Sequence, residues 1–183
     1  MKNVKYRGKI IEVFEEEHGN KVFEIARRSP GVRALIVSDD KILLSKEFRA
    51  ETNNYDYRLP GGKVFDTLDE FVKHDEDSIL PYAEKAVVKE VYEEVGLLAK
   101  NPKLIKISKA GATISWDLYY FEIKDFSKDV QHLEDGEDIT FDWYTIGEVL
   151  ELLKNDKIQE DRSVGVILNY ILKNFGANLW TFC

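Results

Sequence analysis

AEKAVVKEVYEEVGL, residues 83–97, decides how this chain is read. Ala83, Val87 and Val91 recur every four residues, the step of a helix that turns one face to a core. Glu90, Glu93 and Glu94 stand three and four apart, so they share another stripe of the same helix. Like charges at that spacing repel by roughly a few tenths of a kcal/mol per pair, and covering a core does not call for them. A divalent cation would remove the repulsion, because Mg²⁺ takes oxygen ligands and leaves positions for substrate phosphates. The plainer reading is a solvated acidic face. Gly96 suits the helix stop. Pro81 is tolerated in a first helical turn, so the helix is predicted to begin near residue 80. Just upstream, LPGGK at 59–63 reads as a turn whose glycines let the backbone approach a ligand closely.

The 183 residues suit one compact domain with at most a small appendage, and 44% hydrophobic content supplies a core. A net charge of −8 argues against a nucleic-acid backbone or an anionic membrane as partner. It leaves room for a small polyphosphate, since a bound metal dominates the field locally. The single cysteine, Cys183, excludes a disulfide framework and a Cys-based zinc site within one chain. MKNVKYRGK carries no signal-peptide stretch, and no apolar run nears membrane-spanning length. A soluble cytoplasmic protein is the expectation.

Outward from the helix, β-prone side chains over 4–14 and 21–28 predict two strands joined by a turn at His18-Gly19-Asn20. Such a hairpin is marginal alone and must pack on something. Ser29-Pro30-Gly31 marks a boundary, dividing residues 1–30 from a main domain over 31–183. VRALIVS (32–38) reads as a buried strand that turns at Asp39-Asp40 into KILLSKEFR (41–49). On that second strand Glu47 and Arg49 share a face. Residues 50–56 read as polar loop, with a short strand from Tyr57 to Pro60. Strands are predicted over 103–109 and 114–123, then ITFDWY at 139–144. Packing helices are predicted at about 145–154 and 161–174. Trp116, Leu118, Tyr120 and Glu122 share one face of the second of these strands.

Glycine turn, helix and K-E-V-Y-E-E-V-G-L together resemble the Nudix box of the Nudix hydrolases, G-x5-E-x7-R-E-U-x-E-E-x-G-U with U aliphatic. Glu90, Val91, Glu93, Glu94, Gly96 and Leu97 match directly, and Lys89 stands at the family's Arg. The front half departs. With Gly62 as the box glycine, Leu68 falls where the first Glu belongs, and counting back from Lys89 gives Pro81. About thirteen residues are inserted, in the stretch FDTLDEFVKHDEDSI (65–79). That segment reads as a solvated loop with a short helix around 67–73, or as a lid. Asp75, Glu76 or Asp77 could supply the missing carboxylate. YRGKIIEVFEEEHGNKVFEIARRSPGVRALIV is similar to the N-terminal strands of the ADP-ribose pyrophosphatase branch. Glu47, Phe48 and Arg49 resemble its E-Q-F-R strand. Arg58 stands where that branch has Glu, in E-L-P-A-G.

The resemblance implies an α+β fold, an α/β/α sandwich with a mixed β-sheet flanked by helices and an N-terminal β-hairpin subdomain that helps build a homodimer. It implies Mg²⁺-dependent hydrolysis, or Mn²⁺ in its place, of a nucleoside diphosphate linked to another moiety, ADP-ribose or a related nucleotide sugar first. Gly61, Glu90, Glu93 and Glu94 are the implied metal ligands, and Glu90, Glu93 and Glu137 the implied catalytic groups. For the loop base Glu137 comes first and Glu134 next; an ordinary acidic turn is the alternative. Arg49, Arg28 and Arg58 are the candidate substrate contacts, though an arginine such as Arg28 on an edge strand is also an ordinary solvated charge. A competing class is a non-catalytic Nudix-fold protein that senses such a ligand. The altered front half of the box and Lys89 favour it; the three retained acids oppose it.

Overall fold

The structure is a computed structural model and describes residues 2–50, 52–111, 113–133, 136 and 138–176, with the backbone alone at Glu76. In chain order it runs β1 (Asn3–Arg7), β2 (Ile11–His18), β3 (Lys21–Arg28), β4 (Gly31–Ser38), β5 (Lys41–Arg49) and β6 (Asn54–Arg58). A short helix α1 (Leu68–Phe71) and the long helix α2 (Leu80–Val95) follow. Then come β7 (Leu97–Lys100), β8 (Lys103–Ser108), β9 (Ile114–Ser115), β10 (Leu118–Ile123), β11 (Asp125–Lys128) and β12 (Ile139–Thr145). Helices α3 (Ile146–Lys154) and α4 (Asp161–Phe175) complete the described chain.

The central sheet has the order β12-β5-β4-β10-β8, with β6 also on β5. Its one parallel pair is β4 with β10, from Gly31–Leu118 to Ile36–Ile123; the other pairs are antiparallel. Residues 31–37 are buried throughout, as a strand covered on both faces requires. On one face α2 sets Ala83, Val87, Val91 and Val95 against Val32, Ala34, Ile36 and Phe121. Each buried valine contributes about 1.5–3 kcal/mol. On the other face α3 and α4 cover Leu35, Leu118 and Tyr120. The result is the predicted α/β/α sandwich.

The box helix begins at Leu80, with Pro81 in its first turn, and ends at Gly96 in the left-handed region, φ 60°. A Cβ there would lie 2.8 Å from the Asp129 carbonyl, so glycine is needed twice over.

Several boundaries differ from the expectation. The predicted strand at 4–14 is two, because the chain turns at Gly8, whose N–H donates to the Ile11 carbonyl at 2.8 Å. Residues 54–56, expected as loop, are strand paired to β5. The run at 114–123 is broken at Trp116-Asp117: β9 joins β3 in a sheet of order β1-β2-β3-β9, while β10 joins the central sheet. β7 and β11 form an additional two-stranded sheet that the sequence did not suggest. No helix among the described residues is long and apolar enough to cross a membrane.

The segment 65–79, expected to be an insertion, does hold a short helix, α1, closed by a capping box between Thr67 and Glu70. It is more than a solvated loop. Phe65, Leu68, Phe71 and Ile79 are buried in the core beside α2. Asp66, Asp69, Glu70, Asp75 and Asp77 are exposed, and Asp69 meets Arg7 of β1 at 2.5 Å.

Candidate active site

β4 and β5 pair only next to their turn, at Val37–Ile42 and Ser38–Lys41, and then separate. The glycine turn fills the gap. Val32 N–H donates to the Gly62 carbonyl at 2.9 Å and Ala34 N–H to the Pro60 carbonyl at 2.8 Å. Gly61 sits between them at φ 146°, where a Cβ would lie 2.2 Å from the Val32 carbonyl oxygen. A Cβ on Gly62 would lie 2.2 Å from Glu90 Oε1. The turn is thus pressed between the sheet and the acidic stripe of α2.

Gly61→Ala is therefore expected to cost stability, about 1–3 kcal/mol, because the obstructing atom is backbone and the φ suits only glycine. Gly62→Ala meets a side-chain end that can swing aside. It should leave the melting temperature near wild type while displacing the Glu90 carboxylate, and with it any divalent cation that this carboxylate holds. Thermal melts with a metal titration check the pair, and a wild-type melt for Gly61→Ala would contradict this account of the turn.

Glu94 Oε2 accepts from Gly61 N–H at 2.9 Å. Burial pushes the Glu94 carboxyl up to about 8, and the charge of Glu90 adds to the shift; Gly61 N–H and Arg33 oppose it. Glu93 turns aside to Lys89 at 2.8 Å, and that hydrogen bond raises the lysine's pKa. Lys89 thus holds one of the acids by a single contact, without the planar fork of an arginine.

These acids line a cleft of about 300 Å³. The candidate substrate residues Arg28, Arg49 and Arg58 line it too. Arg49 contacts Glu47 at 2.7 Å, and Arg58 lies 3.4 Å from the same carboxylate. Arg28 stacks on Trp116, 4.5 Å from the ring centre. Burial, then the like charges of Arg33 and Arg162, lowers the Arg28 pKa. Glu137 and Glu134 lie outside the described residues; Ile139, which opens β12, lines the cleft. Among the insertion acids it is Asp66 that lines the cleft, near Lys89, while Asp75 and Asp77 do not.

Sequence reasoning missed Arg33 and Glu160. Arg33 is buried, and its Nε and Nη2 reach the two oxygens of Glu160 at 2.9 and 3.0 Å. Its Nη1 donates to the Val32 carbonyl at 2.8 Å and the Gly61 carbonyl at 3.1 Å, which pins the turn. Burial works to lower the Arg33 pKa, but the charge and hydrogen bonds of Glu160 outweigh it and raise it. The signal was a lone guanidinium inside the apolar run VRALIVS.

Among the described residues no three His, Cys, Asp or Glu side chains are gathered into a ready-made metal cage. The donor chemistry nonetheless fits a hard cation. Glu90 and Glu94 flank the same glycine turn, and burial together with the charge of Glu90 pushes the Glu94 carboxyl up. The Gly61 carbonyl keeps a second lone pair after accepting from Arg33. Oxygen ligands that few in number suit an ion that retains waters.

Residues 27–164 match the NUDIX domain family, and the chain belongs to that family, as a Nudix pyrophosphohydrolase. Among solved structures, one described as an ADP compounds hydrolase superposes with a TM-score of 0.67 at 19% identity, covering 96% of this chain and 94% of that one. That likeness shows the shared fold. No curated protein sequence matches the chain.

Proposed function

We propose that this protein hydrolyses a nucleoside diphosphate linked to another moiety, ADP-ribose or a related nucleotide sugar, with Mg²⁺ as cofactor. The observation that carries the reading is the pairing of two crowded carboxylates, Glu90 and Glu94, with a row of arginines across one cleft. The ADP compounds hydrolase of similar fold is consistent with it.

A divalent ion held by Glu90, Glu94 and the Gly61 carbonyl would supply Lewis acidity and a more acidic water. Arg28, Arg49 and Arg58 bind phosphate oxygens, and Arg28 is the one of the three that stacks on Trp116 while Arg49 and Arg58 contact Glu47. Water attacks one phosphorus, the P–O–P bridge breaks, and two phosphate monoesters leave. The water's proton passes to a carboxylate. Glu137 takes that role by the family resemblance, and its neighbour Ile139 at the cleft wall supports it. Glu93 stands at the same cleft, held by Lys89, where a second ion would use it.

The test is product release from ADP-ribose, nucleotide sugars, dinucleotides and nucleoside triphosphates, with and without Mg²⁺. Metal-dependent cleavage of nucleoside diphosphate compounds is expected. Absence of turnover, with a panel member still raising the melting temperature, would instead make this a binding protein.

A further inference from the structure

Beside the cleft lies a smaller pocket of about 160 Å³, and the two share Arg28 and Pro30 at their junction. One wall comes from the insertion, as Phe71 and Ile79. Ile114 of β9 and Tyr119 of β10 line it as well, with Lys109 as a second cation beside Arg28. Ser115 and Asp117 place polar groups among these apolar side chains. Phe71 is fixed from behind, stacked on Phe65 with ring centres 5.9 Å apart and with the Arg27 guanidinium 5.6 Å from its own ring.

We propose that this pocket holds the flat heterocycle of the substrate's nucleotide, and that the inserted segment of the box exists to build its wall. The inference rests on the hydrolase reading for the neighbouring cleft. Three observations favour the assignment. The size suits one ring system, since an apolar cavity of about 150 Å³ accommodates benzene. The lining combines apolar and aromatic faces with a few polar groups, as small-molecule sites do. Arg28 at the junction places a phosphate-binding cation where the pocket opens into the cleft. A nucleoside phosphate would lie with its ring between Phe71 and Ile114 and its phosphate on Arg28.

Calorimetry with a nucleoside 5′-monophosphate and with ribose 5-phosphate reads the ring's contribution without requiring turnover. Wild type is expected to bind the nucleotide about tenfold tighter or more, the gain typical of one stacked base. Ile114→Trp fills the pocket from an exposed position and should erase that preference while ribose 5-phosphate binds as before. Ile114→Ala, which leaves the pocket open, should retain at least part of the preference and controls for damage to β9. Equal affinity for the two ligands in wild type, no measurable binding of either, or a preference that survives Ile114→Trp would overturn the proposal. Failure of the hydrolase reading looks different: no turnover on any pyrophosphate, with the nucleotide preference intact.

Discussion

Glu94→Gln is expected to lower turnover by about two to three orders of magnitude, the loss typical of removing one preorganised electrostatic group. The fold should survive. Glutamine keeps the shape, and its carbonyl can still accept from Gly61 N–H. What it lacks is the negative charge that a cation requires. The same variant has a second signature in the metal-free protein. The folded carboxyl titrates at about 8 against 4.5 for the free group, because burial and Glu90 disfavour its charge. The folded state therefore binds more protons between those values. The resulting stability is complete below the lower value and disappears as pH rises through the upper one. Wild type should lose melting temperature relative to Glu94→Gln across that window. Turnover within a few-fold of wild type would remove Glu94 from the site, and parallel melting profiles would show that burial does not hold its carboxyl protonated.

Arg33→Met should be the most damaging single change to stability. It leaves the partly buried Glu160, among the described residues, with the longer contact from Arg58, at 3.7 Å, and the Ser163 hydroxyl. Breaking one side of a buried ion pair costs about 3–5 kcal/mol. For a chain of this size that is a melting shift of roughly 6–20 °C. Removing Glu160 as well, in Arg33→Met/Glu160→Leu, should recover much of the loss because no charge is then stranded. Catalysis would still suffer in the double variant, since the Gly61 carbonyl loses its Arg33 donor. A single variant melting within a degree or two of wild type would show that the pair carries little.

The sequence was most legible where the information is local. The four-residue valine step, Pro81, Gly96 and the three acids lie within one helix, and each occupies the position its spacing suggested. The Arg33–Glu160 pair joins residues 127 apart, and no periodicity connects them. The break at Trp116-Asp117 was equally hidden, because ISWDLYYFEI alternates as a continuous strand would. Only the fold shows the Asp117 carbonyl taken by Gly31 N–H at 2.9 Å where the segment changes sheets. The insertion was misjudged for another reason. Its six acids dominate the composition, while the four apolar residues that anchor it are spread over 65–79.

The segment that changes sheets also constrains the order in which the protein can be assembled on the ribosome. β3 acquires its outer partner only through Ala26–Ile114 and Arg27–Ser115, so its edge stays open until the chain is made that far. At about 5–20 residues per second that interval lasts several seconds. During it the Ala26-Arg27 stretch of that edge is an unpaired strand, the kind of template on which nascent chains aggregate. The charged residues Lys21, Glu24, Arg27 and Arg28 on the same strand oppose such pairing until β9 arrives.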